Sequence, residues 1–223
     1  MSVIRDRAKN NFPMVLLTLL SIVQALALEL LWNQIHVHTE FYTLSWIAVT
    51  GWMRILATLI GILLIWLVYA TNSMRFRWVP STADSFFPFL VGIIQFIMID
   101  NLGPEDLGRW LLALATIFGL MTWVSQLDQK RARRDPDNSE YFESVTPATL
   151  KNFVPALVTV SMLAVSAVIV WQQGDAGWFA RVAVMFALIA LLYQTYLTDM
   201  FWKRSMMLGE RAHTRSSEGT ERT

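Results

Sequence analysis

Long apolar runs alternate with short polar segments along the whole chain. Six runs approach the length needed to cross a bilayer, over about 12–32, 46–70, 85–101, 107–127, 153–172 and 178–202. A helix spanning the hydrocarbon core needs about 20 mostly apolar residues. The third run is the shortest, so as a span it tilts least. The pattern predicts an all-α integral membrane protein: a six-helix transmembrane bundle, read as three tandem helical hairpins. The polar tail, 210–223, reads as disordered. An alternative for the first run is a cleaved signal peptide, because a basic N-terminus and an apolar core lead to Ala25-Leu26-Ala27.

The polar segments differ in charge. Arg5, Arg7 and Lys9 precede the first span, Arg75 and Arg77 follow the second, Lys130 to Arg134 and Lys151 follow the fourth, and Lys203 and Arg204 follow the sixth. The intervening loops, 33–45, 102–108 and 173–177, carry no lysine or arginine. By the positive-inside rule both termini are cytoplasmic, in a plasma membrane of the bacterial inner type. The formal net charge of +1 is then a cancellation between a cytoplasmic face of net +4 and an outer face of net −3.

Composition narrows the classes. The 223 residues are 55% apolar and 16% charged, against about a quarter charged in a soluble domain. This excludes a soluble enzyme and a nucleic-acid binder. Cysteine is absent, so there is no disulfide framework or thiolate nucleophile. No histidine or lysine lies within a span, and no GxSxG, TVGYG or phosphate-loop motif occurs. The sequence implies no cofactor. The partners it implies are the lipid bilayer and either a second copy or other membrane subunits.

Two patterns repeat. Trp52, Ala57 and Gly61 share their spacing with Trp110, Ala115 and Gly119, and with Trp178, Ala183 and Ala187. Small residues one turn apart let a neighbouring backbone approach, so these positions should face other helices. Gln24 and Glu29 share their spacing with Gln95 and Asp100. Most tryptophans fall near span ends, as in an interfacial belt.

Charges within spans are costly and point inward or pair. Arg54, Arg109 and Arg181 are the only basic residues outside the cytoplasmic segments, and Glu29 and Asp100 lie at matching heights. Glu29–Arg54 and Asp100–Arg109 pairs follow as expectations. These residues, with Gln24 and Gln95, are the candidate ion or substrate site. The acids are rotated about 140° from the glutamines and cannot share their face. His36, His38 and Glu40 are the weak candidates for a metal, without a further secured ligand. Two function classes result. One is a channel or carrier for an ion or small polar solute, using the outer charges. The other is a non-catalytic scaffold or assembly subunit whose intramembrane pairs are structural. A lipid-processing enzyme is a third, weaker class.

Overall fold

A computed structural model describes residues 3–143 and 145–220, and the side chains of these except at 140, 150 and 208–220. The described chain is helical, without strands. Six helices are long and apolar enough to cross a membrane: α1 Val3–Val37, α2 Trp46–Arg75, α3 Thr82–Asp100, α4 Leu107–Arg134, α6 Leu150–Gln173 and α7 Trp178–Thr220. A short helix, α5 Ser139–Glu143, lies between α4 and α6. The backbone of α7 runs as helix to Thr220, into the segment whose polar composition predicts disorder.

Local chemistry sets several of the boundaries. Ser45 caps α2 by accepting the Ala48 N–H at 3.2 Å. Asp84 folds back on the start of α3, accepting the Ser81 N–H at 2.7 Å, and Asn152 does the same for Thr149 at the start of α6 (2.9 Å). Gly174, at φ 81°, ends α6 in a conformation that favours glycine.

Each long helix packs on two principal neighbours, and the contacts close into a ring in the order α1, α2, α7, α6, α4, α3. The expected small residues line its contacts. Ala57, Ala115, Ala183 and Ala187 are buried, Gly61 faces Leu191 of α7, and Gly119 faces Val160 of α6. Trp110, in the first turn of α4, is fully buried between helices, and its indole N–H donates to Thr58 Oγ1 of α2 at 3.0 Å. Trp110 and Trp78 depart from the expected interfacial belt, because each is enclosed by neighbouring elements.

Candidate functional site

The polar residues gather at the two ends of the bundle. One, the basic end, carries the start of α1, the α2–α3 connection and the α4–α5 turn. The other carries the α1–α2, α3–α4 and α6–α7 connections.

At the second end Arg54 is 4% exposed. Its Nη2 donates to the carbonyls of Leu102 (2.8 Å) and Gly103 (3.0 Å), in the connection between α3 and α4. Glu29 is exposed and has no hydrogen bond or ion pair among the described residues, so the expected Glu29–Arg54 pair does not form. Asp100 is likewise exposed and unpaired, and Arg109 binds Asp106, the residue just before α4, at 3.1 Å instead. The reason is rotational. Gln24 and Gln95 face inward, and an acid five residues further on faces outward. Arg181 lies over the Trp46 ring at 5.0 Å. Asp175 does not reach it; its Oδ2 accepts the Leu107 N–H at 2.8 Å and so ties the α6–α7 loop to the start of α4. Burial pushes the Asp175 carboxyl up, against the Leu107 hydrogen bond and the Arg54 charge.

Gln24 and Gln95 are brought together. Each amide nitrogen donates to the other's carbonyl oxygen at 3.1 Å, inside the α1–α3 contact. The pair satisfies both amides where water is absent. Nearby, Val23 sits where a side chain on Gly92 would go, so the two helices touch closely.

The histidines separate. His36 packs on Trp32 with ring centroids 4.4 Å apart, while His38 Nδ1 lies 3.0 Å from Glu40 Oε1. Glu40's own backbone N–H holds its carboxyl below the usual range, against burial and helped by His38. Among the described residues no group of three or more His, Asp or Glu side chains is arranged to hold a metal ion.

The basic end holds a polar cluster that the sequence reading treats only as loop charge. Lys9 is 3% exposed, and its Nζ binds Asp135 Oδ1 at 2.7 Å and Asp137 Oδ2 at 3.0 Å. Burial pushes the Asp135 carboxyl up, but the Lys9 hydrogen bond, the Asp137 backbone N–H and the charges of Lys9 and Arg5 together hold it below the usual range. Asn138 is buried and staples two connections: it accepts the Arg77 N–H at 2.9 Å and donates to the Arg77 and Ala132 carbonyls. Phe76 packs on Tyr141 and Phe142 of α5, and the Arg75 guanidinium lies over Phe76 and donates to Tyr141 Oη. Arg131 pairs with buried Asp84. Asp128 is buried nearby and makes no hydrogen bond among the described residues.

Two concavities accompany these groups. The larger, about 480 Å³, is an open apolar groove along one face of α1, between Met14 and Ala25. The smaller, about 10 Å³, lies at the basic end among Tyr69, Trp78, Asp84 and Asp128, with Leu16 and Phe87 as apolar walls.

Two signals for the basic-end cluster were present in the sequence: a lysine close to an apolar run, and the Arg-x-x-Pro repeat at Arg77 and Arg133. Neither identifies a partner, because Lys9 and Asp135 lie 126 residues apart. The chain matches no protein-family model, no curated protein and no solved structure.

Proposed function

We propose that this polytopic membrane protein is a non-catalytic scaffold or assembly subunit, rather than a channel or carrier with an outer charged site. The observation that carries this reading is how the candidate site residues are engaged. Arg54 holds two backbone carbonyls, Gln24 and Gln95 hold each other, and Arg109 and Arg181 are taken up locally. A solute entering from that end would meet structural contacts, with Trp110 buried and bonded to Thr58 one turn beyond Arg54. Within this reading the basic end and both termini are cytoplasmic, in a bacterial-type inner membrane. The hairpins α1–α2 and α3–α4 are two copies of one unit; their reciprocal glutamine pair supports that relation. Glu29 and Asp100, exposed on adjacent helices without partners, are where a basic residue of another membrane subunit would bind.

The test combines flux and crosslinking. Purified protein in liposomes should pass Na⁺, K⁺ and protons no faster than empty liposomes. A photo-crosslinking residue replacing Glu29 or Asp100 should give a discrete protein adduct in the native membrane. Flux that disappears on Glu29→Gln would overturn the reading and restore a transport site; crosslinks to lipid alone would also count against it.

A further inference from the structure

The small cavity at the basic end is lined by polar groups without partners. Tyr69 and Trp78 line it, at 6% and 7% exposure, and neither the Tyr69 hydroxyl nor the Trp78 indole nitrogen has a hydrogen-bond partner. Buried polar groups of this kind are nearly always satisfied, so two around one cavity point to a guest. Asp84 and Asp128 line the same space.

Charge identifies the guest. Asp84 contributes from α3, and Asp128 and Arg131 contribute from α4. From α1 the lining residue is Leu16, and Lys9 is engaged by Asp135 and Asp137. From α2 it is Tyr69, and Arg75 is engaged by Tyr141. In the α2–α3 connection it is Trp78, while Arg77 bonds Asn10 and lies 4.0 Å from Asp137. Two carboxylates and one guanidinium leave one excess negative charge beside the cavity. Burying an uncompensated charge is expensive. Arg131 is bound to Asp84, and Asp128 is left without a hydrogen bond.

Size sets the limit. A cavity of about 10 Å³ holds one particle the size of a water molecule and no hydrated ion or organic solute. We propose that this cavity is a site for one monovalent cation, a proton or a dehydrated sodium ion, bound by Asp128 with Asp84 and the Tyr69 hydroxyl. Both guests supply the missing positive charge. Carboxylate and phenol oxygens suit a hard cation, and a proton would reside on Asp128, the carboxyl without a hydrogen bond. This site goes beyond the scaffold reading and does not depend on it.

The experiment is thermal unfolding of the full chain in nanodiscs of zwitterionic lipid. Sodium chloride is compared with choline chloride at equal ionic strength, over about pH 5 to 8. If the guest is sodium, the Tm rises with sodium but not choline, by roughly 5 °C near saturation, and Asp128→Asn removes the rise. If the guest is a proton, sodium has no effect, and a rise in Tm with falling pH is lost in Asp128→Asn. Tyr69→Phe keeps the ring packing and removes one oxygen. It should weaken sodium binding roughly tenfold, or move the midpoint of the pH curve, and it decides the matter if Asp128→Asn does not fold. A Tm indifferent to sodium, with a pH response unchanged in both variants, overturns the proposal. The scaffold reading fails on a different measurement, solute flux.

Discussion

Each end of the bundle buries one cation, and the two are held by different chemistry. Lys9, at the basic end, is enclosed with two carboxylates at 2.7 and 3.0 Å. Arg54, at the other end, is held by two backbone carbonyls, and its closest acids act only at a distance. Lysine is a compact point charge that pairs with anions; arginine is a planar fork that can collect several weaker acceptors. Lys9 therefore joins distant parts of the chain through charge, at a site whose strength depends on protonation. Arg54 joins α2 to the α3–α4 connection through dipoles that do not titrate. The Lys9 contacts should respond to pH through Asp135, and the Arg54–carbonyl contacts should respond mainly to shape.

Substitutions can break this contrast, and the largest effect is expected at Lys9. Replacing it with alanine leaves buried Asp135 without its cation and should cost about 3–5 kcal/mol in equilibrium unfolding from mixed micelles. The effect should also depend on pH. The folded Asp135 carboxyl lies below its ordinary value of 3.8, so its contribution is present above that value. It disappears as pH falls through the lower folded value. In Lys9→Ala the acid limb of the stability–pH curve should flatten; an unchanged limb would mean that the pair is not the titrating contact. Arg54→Ala should cost less, about 2–3 kcal/mol, through two carbonyls losing their donor, and the loss should shrink at acid pH as Asp175, which the Arg54 charge favours in its ionised form, takes up a proton. The smallest effect belongs between the ends. Gln24→Leu should cost about 1 kcal/mol by orphaning Gln95, and adding Gln95→Leu should recover most of it in a double-mutant cycle. If the double variant is instead the least stable, the reciprocal amides do more than satisfy one another.

The same contrast explains what was legible in the sequence. Six apolar helices could be read from run length alone, because the bilayer imposes a length that few soluble helices share. The inward face of Gln24 and Gln95, and the outward face of Glu29 and Asp100, were implicit in their five-residue spacing. Matching heights nevertheless suggested acid–arginine pairs, because height gives depth and says nothing of rotation. Arg54 finds carbonyls, a partner type that no side-chain pattern announces. The basic-end cluster was hidden for a different reason. Its members come from α1 to α5 and the connections between them, and each charged one alone resembles an ordinary topogenic or loop charge. Only the ring order brings Lys9 to Asp135, and Asp84 to Arg131.

The reciprocal glutamine pair also has a consequence in time. Its two residues are 71 positions apart. At ribosomal rates of about 5–20 residues per second, Gln24 emerges roughly 4–14 s before Gln95 exists. During that interval the first hairpin has a mid-helix amide without its final partner. Its best temporary partners are water, the insertion machinery or the helix's own backbone. The first hairpin should therefore complete its insertion only when the second arrives to seal it, and a chain truncated between α2 and α3 should be a preferred target for membrane quality control.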